Sequence, residues 1–110
     1  MISEGDILLF RFPYSDFSTG KLRPALAIKK IGGDFDDWLV CMISTRTRHK
    51  VEDLELILPA STKTGLKKES LVRTSRLAVV ESGIFEGKLG SLDEETFSKI
   101  RKLLADWIQK

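Results

Sequence analysis

Between positions 6 and 90 the apolar residues come in short runs, each stopped by Gly, Pro or a polar cluster. Only after residue 92 does their spacing stretch to threes and fours. This switch of period confines the chain to a sheet of several short strands followed by one long helix. The predicted strands are DILLFRF (6–12), RPALAIKK (23–30), DWLVCMIST (37–45), LELIL (54–58), SLVRTSRLAVV (70–80) and GIFEGKLG (83–90). Pro24 is expected at the first position of its strand, because further in it would remove a ladder donor. GGD (32–34) is expected to turn a hairpin, and the nearly unbroken apolar pattern of 37–45 is that of a strand covered on both faces. The stretch STKTGLKKES reads as irregular, with room for one helical turn.

In the C-terminal segment Phe97, Ile100, Leu103, Leu104, Trp107 and Ile108 fall on one side of a 3.6-residue period, predicting an amphipathic helix over 92–109 packed on the sheet. Its start is marked by Ser91, expected to accept from the backbone of Glu94 while the Glu94 side chain reaches back. Asp93, Glu94 and Glu95 suit the positive end of the helix dipole. Short strands plus one covering helix argue a mainly β fold, a small, strongly bent antiparallel sheet or barrel.

A chain of 110 residues suits one domain, 1–110, with a modest core. No apolar run approaches the ~20 residues that span a bilayer, and Glu4 and Asp6 spoil any resemblance to a signal peptide, so a cytoplasmic location is expected. Cys41 has no second cysteine to pair with and reads as a small buried hydrophobe. The net charge of +2 argues weakly for a polyanionic partner. Its distribution says more: Lys21, Arg23, Arg46, Arg48, Lys50, Lys63, Lys67, Lys68, Arg73 and Arg76 are basic, while acidic residues gather at 34–37, 52–55 and 93–95. Asp34, Asp36 and Asp37 lack the remaining ligand pattern of a calcium loop, and no Cys/His cluster offers zinc four ligands, so neither metal nor cofactor is expected.

The segments GDILLFRFPYSDFSTGKLRPAL (5–26), MIST (42–45), GLKKESLVR (65–73) and KLGSLDEETFSKIRKLLADWI (88–108) together resemble the PemK-like family, which includes the MazF and Kid toxins of bacterial toxin–antitoxin systems. The resemblance implies an SH3-like barrel with a C-terminal helix, usually a homodimer, acting as a metal-independent ribonuclease on single-stranded RNA. It also implies neutralisation by a cognate antitoxin that is acidic and partly disordered, and DNA binding by the toxin–antitoxin complex. The family's catalytic arginine of an Arg-Pro pair matches Arg23; its strand-end hydroxyl matches Ser44, with Thr45 beside it. The arginine of an Arg-x-Asp unit matches Arg73, but Ser75 stands at the aspartate position, which leaves that third role open.

These residues are compatible with the implied chemistry. Attack of a ribose 2′-hydroxyl on the adjacent phosphorus needs charge neutralisation at the phosphorane. Arginine supplies a planar fork of donors for phosphate oxygens but, with a pKa above about 12, is a poor base. Arg23 is read as stabilising developing charge, with Ser44 and Thr45 as hydroxyl donors. An arginine covering a strand end with its stem in a salt bridge is the competing reading. Tyr14, Asp16 and Phe17 suit framing a base, and Lys21, Arg46, Arg48, Ser75 and Arg76 suit backbone contacts. Asp16 can equally cap its own turn, and TRTRHK can be a plain solvated loop in which His49 does nothing. A barrel of this kind also serves CcdB-type toxins, which bind a topoisomerase without cutting RNA, or a plain nucleic-acid-binding module, because fold alone does not set function.

Overall fold

In a computed structural model, residues 1–11, 22–47 and 49–110 form six strands and one long helix: β1 (Asp6–Arg11), β2 (Leu22–Ile31), β3 (Asp37–Thr45), β4 (Glu55–Leu58), β5 (Ser70–Glu81), β6 (Gly87–Ser91) and α1 (Glu94–Ile108). The strands make one antiparallel sheet in the order β4-β5-β3-β2-β1-β6, curled into a half-barrel, which is the mainly β architecture the period switch predicts.

Alternation along the strands gives the sheet two apolar faces. One carries Ile7, Leu26, Ile28, Cys41, Ile43, Leu58 and Val72 and is covered by Phe97, Ile100 and Leu104 of α1. The other carries Leu8, Phe10, Ala25, Ala27, Trp38 and Val40, with Ile2 and Phe85 packed against it. Phe85 meets Phe10 edge to face at 5.8 Å between ring centres. The near-continuous apolar run of β3 follows from this double cover. Cys41 sits fully buried within it, where burial pushes the thiol up to about 12, so it packs as an unreactive hydrophobe.

The largest register shift in the sheet lies in β5. Its ladder with β3 steps from Cys41↔Leu77 directly to Met42↔Arg73, leaving Thr74, Ser75 and Arg76 without partners on β3. Such an insertion bends a strand sharply. Thr74 turns away from β3 and donates to the Leu54 carbonyl twice, from its N–H at 3.0 Å and from Oγ1 at 2.7 Å. The segment after β4 then crosses to the opposite edge of the sheet, where the Ser91 N–H of β6 donates to the Lys63 carbonyl at 3.1 Å. Glycine permits this approach, since a Cβ at Gly90 would stand 2.3 Å from the Lys63 oxygen, and one at Gly65, whose φ is +76°, would stand 2.2 Å from the Leu89 oxygen.

Four local expectations are corrected. The helix cap is Asp93, whose carboxylate accepts from the Thr96 N–H at 2.7 Å; Ser91 is instead committed to the β1–β6 ladder opposite Asp6. Pro24 is the third residue of its strand rather than the first. The β2–β3 connection runs over 32–36 rather than GGD alone, because the ladder closes at Ile31↔Asp37. The last strand begins at Gly87 rather than at residue 83, since Ser82–Ile84 form a 3₁₀ turn that brings Phe85 onto Phe10. Ser82 also donates from Oγ to Asp36 at 2.6 Å, which, with Lys30 nearby, holds that carboxyl below its usual range.

Gly65→Ala is expected to lower the free energy of unfolding by about 2 kcal/mol or more, combining a left-handed backbone with a backbone clash. Gly83→Ala, where a Cβ meets nothing within 4 Å, is expected to cost far less; urea titration of both variants checks this. The Thr96 N–H lowers the Asp93 pKa, so the cap stabilises the fold above the ordinary carboxylate range and is lost as pH falls through the lowered folded value. The drop in Tm caused by Asp93→Ala should therefore be full at neutral pH and shrink on acidification through that window.

Candidate active site

Pro24 and Arg23 lie at the open end of the β2–β3 ladder. The last paired residue there is Ala25, opposite Met42, so the missing proline N–H costs no bond to β3. On the other side Pro24 faces Leu9, and Arg23 faces Phe10 of β1. Opposed residues in a ladder point to the same face, so Arg23 shares the face of Phe10, Ala25 and Ala27. Carrying the Ala25↔Met42 register two residues further sets Arg23 level with Ser44 on the neighbouring strand. The arginine is half-buried, and its Nε is enclosed without a hydrogen-bond partner among the described residues.

Ser44 pairs with Leu71 and Met42 with Arg73, which brings Arg73 onto the same face from β5. On a flat sheet the Cα atoms of Arg23 and Arg73, two strands and two residues apart, would be separated by about 12 Å, a gap that two extended arginine side chains can close from either side. Thr45 falls on the opposite face by alternation, opposite the buried Ser70. Of the four expected catalytic residues, the fold thus gathers Arg23, Ser44 and Arg73 on one surface and separates Thr45 from them.

A further member was missed from the sequence. Glu55 of β4 stands directly opposite Arg73, and its Oε2 lies 3.1 Å from the Arg73 Nε. Its side chain is only 4% exposed, and its Oε1 accepts from the Glu52 N–H at 2.9 Å. The signal was a lone acid in LELIL on the row opposite to its leucines; the partner, 18 residues away in the chain, was invisible.

The remaining candidates are dispersed. Ser75 and Arg76 are exposed in the β5 bulge. Arg46 has Nη1 2.8 Å from Glu69 and Nη2 donating to the His49 carbonyl at 2.6 Å, which ties it to both residues. His49 is exposed. Tyr14, Asp16, Phe17, Lys21 and Arg48 lie outside the described residues. A cleft of about 800 Å³ lined by Met1–Glu4, Lys30, Asp36, Trp38 and Ser82 contains none of the candidates. Among the described residues no group of three His, Cys, Asp or Glu side chains converges as a metal site, and no helix is long and apolar enough to cross a membrane.

Chemically, the face offers two guanidinium groups against one buried carboxylate, with a hydroxyl between them. Such a surface holds an anion by charge and by directional donors; it provides no imidazole to move a proton.

Solved structures of the same fold come from several bacteria. The toxin MazF-mt6 of Mycobacterium tuberculosis superposes with a TM-score of 0.72 at 16% identity, covering 94% of this chain and 96% of that one. MazF in the MazE–MazF complex of Deinococcus radiodurans gives 0.72 at 16%, covering 97% and 94%. A mycobacterial endoribonuclease in complex with its cognate antitoxin gives 0.72 at 14%, covering 99% and 96%. No curated protein sequence matches the chain significantly. The model of the PemK-like, MazF-like toxins of type II toxin–antitoxin systems matches residues 3–108. With that match running almost end to end over a sheet of the same architecture, the chain belongs to the PemK-like, MazF-like toxin family.

Proposed function

We propose that this protein is a metal-independent endoribonuclease that cuts single-stranded RNA at preferred sequences. In the proposed reaction the ribose 2′-oxygen attacks the adjacent phosphorus as its proton passes to water, the bond to the 5′-oxygen of the next nucleotide breaks, that oxygen takes a proton from water, and a cyclic phosphate remains. Arg23 stabilises the phosphorane charge, Ser44 donates a hydroxyl to a phosphate oxygen and Arg73 holds a neighbouring phosphate oxygen. The observation that carries this reading is the enclosed Arg23 Nε, which has no hydrogen-bond partner among the described residues. A buried donor left unsatisfied costs about 1–3 kcal/mol, a deficit that a bound phosphate oxygen removes.

Family membership and the placement of Ser44 and Arg73 beside Arg23 support the same reading. The scarcity of proton-transferring groups fits catalysis by preorganised charge rather than by an acid–base pair. In the resident bacterium the protein would be neutralised by a cognate antitoxin, as the names of two of its structural neighbours indicate for those proteins. An acidic, partly disordered segment suits a face with two arginines, folding as it binds. The sheet edge at β4 leaves backbone groups that a second copy of the chain or such a partner can cover, and a homodimer is part of the proposal.

The test is cleavage of RNA of several sequence contexts in EDTA, with 5′ ends mapped. The wild type should cut at a recurring motif. Arg23→Ala and Arg23→Lys should each slow cutting by roughly 10²- to 10³-fold with little change in Tm, lysine failing because it lacks the planar fork. Ser44→Ala should cost more than Thr45→Ala, since only Ser44 shares the arginine face. RNA left intact in every context would end the nuclease reading in favour of a non-cleaving binder. Sedimentation at micromolar concentration should show a dimer, and a monomer alone would remove that part of the proposal.

A further inference from the structure

Glu55 is an expensive residue to place where it is. A carboxylate taken almost wholly out of water loses several kcal/mol of hydration unless its oxygens are paired, and an apolar replacement of a buried ion pair is often neutral or stabilising. The other residues of the short β4 strand are Leu56, Ile57 and Leu58, so an aliphatic residue would continue the run without that cost. Both Glu55 oxygens are instead committed, Oε1 to the Glu52 N–H and Oε2 to Arg73, so the carboxylate cannot swing. The fixed partner engages Arg73 through Nε. No further hydrogen bond of that guanidinium is found among the described residues, and the Arg73 side chain remains 32% exposed. Its Nη groups are therefore available to an anion arriving on the face shared with Arg23 and Ser44.

We propose that Glu55 is the positioning residue of the site: by clamping Arg73 through Nε, it holds the Nη edge of that guanidinium ready for an RNA phosphate. The role rests on the ribonuclease reading for its substrate, and on the strand register for its geometry. A long side chain that is already ordered loses less rotamer freedom on binding than one immobilised at that moment. Glu55 does not take the 2′-hydroxyl proton, because both of its oxygens are occupied within the protein.

The test uses the full chain, an RNA oligonucleotide carrying the mapped cut motif, and the ¹⁵Nε–¹Hε signal of Arg73, assigned by its loss in Arg73→Lys. In the wild type that signal should be protected from solvent exchange, and Glu55→Gln should shift it and speed its exchange. Glu55→Gln and Arg73→Ala should each lower kcat/KM by 10-fold or more. The double variant should be no worse than Arg73→Ala alone, because Glu55 acts only through the arginine. An unprotected Arg73 signal in the wild type, which needs no variant to fold, overturns the proposal. So does a Glu55→Gln effect that multiplies with that of Arg73→Ala. If the wild type leaves RNA uncut, the ribonuclease reading fails separately, and the same double-variant comparison is made on binding of the uncut oligonucleotide by anisotropy. Non-additive losses there support the clamp, while additive losses or no binding overturn it.

Discussion

Thr74 holds the geometry together. Its backbone and hydroxyl both donate to the Leu54 carbonyl, and the side chain is completely buried. These two hydrogen bonds tie β5 to the chain entering β4 at the point where β5 leaves β3 for three residues. The departure lets one long strand serve two directions of the sheet, pairing with β3 on both sides of the bend and with β4 on one. β4 lies along the half of β5 that carries Arg73, so the candidate site depends on strand pairing as much as on residue identity.

Curvature also explains the division of labour between the two faces. The inner face receives α1 and closes into a core of aliphatic side chains with Phe97. The outer face is apolar beneath Phe85 but turns polar toward the ends of β2 and β3, where Arg23 and Ser44 stand. Phe10 is the hinge between these regions, buried against Phe85 and opposite Arg23 in the ladder. Beside that buried aromatic the Arg23 Nε is enclosed with no partner among the described residues, and in a setting of lower dielectric a phosphate interacts more strongly than in open water.

Much of the architecture was legible because its signals are local. β3 was read to the residue from an apolar run bounded by Asp37 and the polar stretch after Thr45. α1 was read within two residues from the spacing of its apolar side chains. The misreadings share a cause, namely competition for one residue between a local signal and a distant one. Ser91 looks like a helix cap, yet its backbone is claimed by β1 and by Lys63, which moves the cap to Asp93. Pro24 looks like a strand start, yet the β1 ladder continues past it to Leu22, while the β3 ladder has already ended at Ala25 and loses nothing to the absent N–H.

The sequence by itself determined the class of fold, the helix and its apolar stripe, and the resemblance that singled out Arg23, Ser44 and Arg73. Periodicity and short motifs are properties of neighbouring residues, so they survive in one dimension. Only the tertiary structure decided that Ser44 shares the arginine face while Thr45 does not, because that depends on strand phase. It alone supplied Glu55 to Arg73 across the β4–β5 ladder, and left the Arg23 Nε buried without a partner among the described residues. Register and burial arise from contacts between distant segments, and no local pattern records them.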